Sequence, residues 1–311
     1  MATYYGTYGQ KVQYLASDPV SPQAGQVWFN STSNLLKVAV TQQGAWATGG
    51  TLSTSNQEFS GAGTQTSGIV FPGETARQST QEYDGTSWTA GGNYPVGQRA
   101  TAGAGTQTAA LSAGGNEAPQ TAAFEYDGTS WTAGGSLSTG RGYLAGAGTQ
   151  TTGLAIGGNT PTGATEEYNG TSWTAGGNLA TARGSLGGAG LQTAALAIGG
   201  NTAPKAQVEE YDGTSWTAGG NLPIARDNLA GAGLQTAALA FGGASTVVLS
   251  STELYDGTSW TTGGNLNTAR NVLAGAGTQT SALAAGGSPA GTATEEFTGG
   301  PVIATRTVTG T

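Results

Sequence analysis

The chain has 311 residues, of which 56 are Gly, 18 are Asp or Glu and 10 are Lys or Arg, for a net charge of −8; ordinary globular proteins hold only ~7% Gly. This balance excludes a basic nucleic-acid surface, and a sequence with neither Cys nor His excludes disulfides, zinc fingers, thiol nucleophiles and imidazole bases. Gly without a three-residue period excludes collagen, while 7 Trp, 11 Tyr and 6 Phe argue for a folded core.

No apolar run approaches the ~20 residues of a membrane span, and Met1-Ala2-Thr3-Tyr4-Tyr5 has neither a basic nor an apolar leader region; neither membrane insertion nor a secretory signal is expected. The first predicted elements form a hairpin, Gly25 to Asn30 and Leu35 to Val38 around Ser31-Thr32-Ser33-Asn34, with turn residues between two strand-like runs. Residues 1–44 therefore read as an N-terminal β extension and residues 45–311 as a second domain.

That second domain is repetitive. Trp46, Trp88, Trp131, Trp173, Trp216 and Trp260 recur every 42–44 residues. Gly-Ala-Gly-(Thr/Leu)-Gln-Thr begins at Gly61, Gly103, Gly146, Gly188, Gly231 and Gly275, and Asp-Gly-Thr-Ser precedes Trp88, Trp131, Trp216 and Trp260, with Asn169 replacing Asp before Trp173. One unit predicts four strands, Leu229 to Gly233, Ala237 to Phe241, Thr252 to Tyr255 and Ser259 to Thr262. Four short antiparallel strands per unit are the signature of a propeller blade, and six units give an all-β, six-bladed β-propeller. The last unit lacks its Trp; either the Trp46 strand or Val302 to Val308 supplies its fourth strand. The Trp residues are expected to wedge between blades, each burying roughly 150–250 Å². The Asp residues are expected to form Asx turns.

Gly242-Gly243, Glu253, Tyr255, Trp260 and Arg270 resemble the kelch repeat, as do Gly157-Gly158, Tyr168, Trp173, Arg183 and Gly199-Gly200, Tyr211, Trp216, Arg226. The likeness covers residues 46–300 and implies a six-bladed kelch-like β-propeller with an N-terminal β-hairpin extension. Phe71-Pro72-Gly73 and Asn56 depart from the pattern in the first copy, so an irregular blade edge is expected there. The His of many kelch first strands is replaced by Gly or Ala. Gly25-Gln26-Val27-Trp28-Phe29-Asn30-Ser31-Thr32, followed by Leu36-Lys37, is similar to a segment of tail-fibre and other virion proteins of tailed bacteriophages. The two resemblances together imply a non-enzymatic virion protein, assembled in the host cytoplasm and acting outside, a tail fibre or appendage adhesin that contacts host-surface glycan or protein. Residues 1–44 would then attach it to other virion proteins, as a homo-oligomer or in many copies. A decoration protein of capsid or tail without a receptor, or a kelch protein-interaction module, is the alternative.

Galactose oxidase has kelch-type blades, but its copper site needs His and a Cys-linked Tyr, both missing here. The sialidase Asp-box places one residue between Asp and Gly, whereas Asp127-Gly128 are adjacent. No catalytic residue, cofactor or metal is assigned; one carboxylate per turn falls short of the roughly six to eight oxygens of a Ca²⁺ site. Arg99, Arg141, Arg183, Arg226 and Arg270 recur with Glu82, Glu125, Glu167, Glu210, Glu253 and Glu296. They form either a cationic ring for an anionic glycan or Arg–Glu pairs, and near-equal numbers favour pairs.

The segments after the Gly doublets differ in every copy: Glu74 to Gln81, Asn116 to Phe124, Asn159 to Glu166, Asn201 to Glu209, Ala244 to Thr252 and Ser288 to Glu295. Such loops on a rigid scaffold carry recognition, and unconstrained drift gives the same pattern. Asn116, Glu117, Asn159, Thr160, Asn201, Lys205, Ser245 and Ser288 are the candidate ligand-binding residues.

Overall fold

Short runs of Ala, Leu, Ile and Gly between tight turns are long enough for strands and too short for helices. A computed structural model describes residues 12–19, 25–159 and 162–308, with the side chains of 40–42 and 300–307 excepted, and every regular element in it is a strand. The chain divides into two compact units, 1–45 with 299–311, and 46–298.

In the first unit β1 (Gln13–Leu15) pairs parallel with β2 (Val27–Asn30), which pairs antiparallel with β3 (Leu35–Thr48). Val27 faces Val38 and Asn30 faces Leu35 across the predicted turn, where Asn34 adopts a left-handed φ of 57°, a conformation Asn tolerates. Trp28 is buried, and its indole N–H donates to Asp18, which also accepts from Asn30 and pairs with Lys37 at 2.6 Å. The bonds from Lys37, Asn30 and Trp28 hold the Asp18 carboxyl down to about 2.

The second unit repeats one antiparallel plan. The first sheet is β4 (Ser60–Gly63), β5 (Gly68–Phe71), β6 (Gln81–Tyr83) and β7 (Trp88–Ala90); the second is β8 (Ala102–Thr106), β9 (Ala109–Ala113), β10 (Ala123–Tyr126) and β11 (Trp131–Ala133). The third is β12 (Ala145–Gly148), β13 (Gly153–Ile156), β14 (Thr165–Tyr168) and β15 (Trp173–Ala175); the fourth is β16 (Gly187–Leu191), β17 (Ala194–Ile198), β18 (Val208–Tyr211) and β19 (Trp216–Ala218). The fifth, β20 (Ala230–Leu234), β21 (Ala237–Phe241), β22 (Thr252–Tyr255) and β23 (Trp260–Thr262), matches the predicted strands to within one residue. The sixth holds β24 (Ala274–Thr278), β25 (Ser281–Ala285) and the start of β26 (Thr294–Thr307). Its fourth place, beside β26, is taken by β3, whose Trp46 packs on Phe297 at 5.1 Å. Val302 to Thr307 instead continue β26, and residues 299–311, assigned by the sequence to the repeats, group with the first unit. Repeated four-stranded sheets of this kind are a propeller-like architecture.

Neighbouring sheets are joined by the residues that recur. Along the inner strands a Cβ on Gly146 would lie 2.3 Å from the Gly103 carbonyl oxygen, and one on Gly188 2.5 Å from that of Gly146; only Gly lets the backbones approach so closely. Each Trp indole donates into the preceding sheet. Where a Thr opens or immediately precedes the third strand, the hydroxyl accepts: Trp46 to Thr252, Trp88 to Thr294, Trp131 to Thr80 and Trp216 to Thr165, all at 2.9 Å. Ala123 and Val208 offer no hydroxyl, so Trp173 and Trp260 donate to the Gly135 and Gly220 carbonyls at 2.8 Å. Buried indoles seek an acceptor, and the neighbouring residue decides which. Five of these six repeated Trp residues are buried; Trp173 is half-buried.

Tyrosines supply a second clasp. Tyr126, Tyr168, Tyr211 and Tyr255 donate to Glu82, Glu125, Glu167 and Glu210 of the preceding sheet, and Tyr83 to Glu296. The sixth sheet carries Phe297 instead of Tyr, and the fifth carries Leu254 instead of Glu; hydroxyl and acceptor vanish together.

Candidate functional site

Antiparallel order sends the variable loops and the connections between sheets to one edge, and the Asp-Gly turns to the other. On the loop edge the chain reverses at Glu58, Ala100, Tyr143, Ser185, Asn228 and Val272, all left-handed with φ of 47–54°. Each such residue costs about 1–3 kcal/mol and persists only where its surroundings over-determine it. Here they do: each N–H donates to its counterpart in the preceding sheet, from Ala100 to Glu58 through to Val272 to Asn228, and Glu58 donates to Val272 at 3.0 Å. These residues line a cavity of about 90 Å³, together with Leu144, Leu186, Leu229 and Leu273.

Most of the sequence-predicted ligands are occupied by the fold. The Asn159 Oδ1 accepts from the Gly142 N–H at 2.7 Å, and the Asn201 Oδ1 from the Gly184 N–H at 3.0 Å. Asn159 Nδ2 donates to Asn116 Oδ1 at 2.9 Å, so Asn116 and Asn159 meet side chain to side chain. Glu117 pairs with Arg99 at 3.1 Å and Arg77 at 2.8 Å, and Lys205 pairs with Asp227 at 2.5 Å. The Ser245 N–H donates to Val247 O, and the Ser288 backbone bonds Asn271 in both directions. Thr160 lies outside the described residues. Asn201 is exposed and the other described candidates are half-buried.

The Arg residues resolve into two groups, and the expected partners need correction. Arg141, Arg183, Arg226 and Arg270 are buried and pair with Glu166, Glu209, Glu253 and Glu295. Of the six glutamates read as their partners only Glu253 is one; the other five accept the tyrosine bonds described above. Adjacent strand residues face opposite ways, so a one-residue shift exchanges the two roles. Arg99 is not the equivalent of Arg141; Gln98 holds that place, and Phe124 stands where Glu166 does. Arg99 lies one residue further on, at 3.0 Å from Glu58 and 3.3 Å from Glu74. At two of these pairs burial opposes charge, pulling the Arg226 and Arg270 guanidinium groups down and pushing the Glu253 carboxyl up.

A second cavity on the loop edge, about 200 Å³, lies where the first copy departs from the pattern, lined by Ser55, Asn56, Gln57, Thr75, Ser288 and Pro289 among others. Asn56 stands where four sheets carry buried Arg, with its Oδ1 2.5 Å from the Cβ position of Gly73, as the Arg141 Cδ is 3.1 Å from that of Gly158. Asn56 is therefore a shortened Arg, running the same way under its own loop.

The opposite edge is uniform. The Asp84, Asp127, Asp212 and Asp256 Oδ1 atoms each accept two backbone N–H groups, and Asn169 does the same at 3.0 and 2.9 Å. The Thr129 hydroxyl and the Ser130 and Thr129 N–H groups hold the Asp127 carboxyl down to about 2. Gly213 in such a turn has φ of 89°.

Sequence reasoning assigned no role to the Gln of Gly-Ala-Gly-x-Gln-Thr. Gln150 Nε2 donates to the carbonyls of Ala110 at 3.1 Å and Tyr126 at 2.6 Å in the preceding sheet, and Gln107, Gln192, Gln235 and Gln279 repeat the bond pair. Gln65 bonds Ala282 and Phe297 of the sixth sheet likewise. Its presence in all six copies was the available signal. No family model matches this sequence, and no curated protein matches it.

Proposed function

We propose that residues 46–298 are a closed six-bladed kelch-like β-propeller and that the chain is a non-enzymatic virion protein of a tailed phage, a fibre or appendage that meets the host surface. Closure is supported by four links between the first and sixth sheets: Glu58 to Val272, Gln65 to Phe297, Trp88 to Thr294 and Tyr83 to Glu296. The recognition role rests on the inequality of the two edges. Six loops of different sequence stand on one edge, on a scaffold whose junctions repeat almost residue for residue. The N-terminal hairpin resembles tail-fibre segments and is the proposed attachment to other virion proteins. Its use of side chains in reciprocal pairs supports a structural rather than a catalytic protein.

The test is binding of the purified chain to a panel of bacterial cells and surface polysaccharides, with the Asn159 to Glu166 loop grafted over Asn201 to Glu209. The expected result is altered binding with unchanged stability, since exposed loops tolerate change. Replacing Thr214 by Lys on the opposite edge should leave binding intact. The loop asparagines spent as internal caps favour the second reading, a decoration protein without a receptor. Absence of cell binding, with many copies on purified particles, would establish that reading and refute the first.

A further inference from the structure

We infer that the 200 Å³ cavity between the Ser55–Gln57 segment and the loop at Ser288 is a binding site for one neutral sugar unit. This deepens the reading of the loop edge as a recognition surface and rests on it. The cavity is smaller than the ~300–1,000 Å³ of drug-sized pockets, so it admits a single ring.

Its lining fixes the chemistry. Asn56 is only 5% exposed, and its Oδ1 is committed to the N–H groups of Gln57 at 3.1 Å and Thr75 at 3.2 Å. The two Nδ2 hydrogens are left to donate. Ser55, Thr75 and Ser288 add hydroxyls, each able to donate and accept. A polyhydroxylated ligand has the same dual capacity at every position. No charged side chain lines the cavity, and Glu74, next to Thr75 in the chain, is already bonded to Gln57 and paired with Arg99. An anionic sugar would find no cation; a cationic one would find no free carboxylate. The site also depends on the first copy's departure from the repeat. Where Arg141 runs on to Glu166 and the Ala155 carbonyl, the shorter Asn56 ends with its amide beside Gly73, and Gly291 keeps the wall open, since a Cβ there would lie 1.9 Å from the Ser55 Oγ. Without an aromatic platform in the lining, each site binds weakly, and useful affinity requires several copies acting together.

Saturation-transfer NMR on the full chain, with neutral hexoses, N-acetylhexosamines and the acidic glucuronate and sialate as probes, tests this directly. Saturable binding of a neutral sugar is expected, weakened about tenfold in a Thr75→Val/Ser288→Ala variant, the effect of losing two modest hydrogen bonds. Thr214→Lys, in an Asp-Gly turn on the opposite edge, should leave the sugar affinity unchanged. Equal binding of acidic sugars, no saturable neutral binding, or full affinity in the double variant would each overturn the site. Cell binding that survives the double variant would overturn this pocket and leave the adhesin reading standing. Neutral-sugar binding without cell binding would do the reverse.

Discussion

Replacing Glu209 by Gln removes one charge from a buried pair and leaves the other in place. Arg183 is 0% exposed and Glu209 1%; after the change a single neutral amide oxygen is shared between Arg183 and the Ala180 N–H, and beyond it the guanidinium has only the Ala197 carbonyl at 3.2 Å and a long contact to Thr181 at 3.4 Å. The Ala180 N–H, which now donates to Glu209 at 2.7 Å, faces a weaker acceptor. Breaking a buried pair on one side costs about 3–5 kcal/mol, a large part of the ~5–15 kcal/mol that holds a domain folded. The second sheet shows the neutral solution. There Gln98 replaces the Arg and bonds the Glu117 backbone twice at 2.7 Å, while Phe124 packs on Tyr94 at 5.0 Å and Tyr94 bonds Ser112 at 2.8 Å. Transplanting that set into the fourth sheet as Leu179→Tyr, Arg183→Gln, Ala197→Ser and Glu209→Phe should return stability to within about 2 kcal/mol of the parent, because buried pairs are replaceable by packed apolar groups. Urea denaturation with an unchanged slope measures both variants. A loss under about 1 kcal/mol in Glu209→Gln, or a transplant no better than the single change, would refute the pairing argument.

Three other outcomes are expected. Trp131→Ala should cost about 3–5 kcal/mol in a thermal melt, because Phe71 and Tyr94 meet it edge-on and Tyr126 at a tilt, at 4.9–5.0 Å, and its removal leaves a cavity among them; a loss below about 1 kcal/mol would mean the ring is not a wedge. Gln150→Leu strands the Ala110 and Tyr126 carbonyls and should cost about 1–3 kcal/mol, and an unchanged melt would show that water replaces the clasp. Burial and the facing glutamates push Tyr83, Tyr126, Tyr211 and Tyr255 from 10.0 up to about 12. A raised folded-state value leaves stability intact below pH 10 and removes it as pH climbs through 12, so tyrosinate absorbance and loss of the β-sheet CD signal should rise together; tyrosines ionising near pH 10 in a folded chain would contradict this.

Local signals carried the strands. The spacing of Trp46 through Trp260, the Gly-bounded runs and the Asp-Gly turns are short-range features, and they located β20 to β23 to within a residue. They also located the hairpin around Asn34. Pairing was another matter, because it is decided between residues far apart in the chain and by which face of a strand each occupies. Glu166 and Glu167 are neighbours with opposite duties, one neutralising Arg141 and the other accepting from Tyr211, and composition cannot separate them when one step reverses the face. Arg99 looked periodic and sits one residue out of register. The loop residues Asn116, Asn159 and Asn201 read as ligands because their segments differ in every copy, yet Asn159 and Asn201 spend their side-chain oxygens on backbone N–H groups of the connections between sheets, and Asn116 accepts from Asn159. The place of Trp46 depended on a partner strand about 250 residues later. Local sequence thus determined what each segment becomes; tertiary structure decided whom it meets, because a partner is set by register and chain return rather than by the residues alongside.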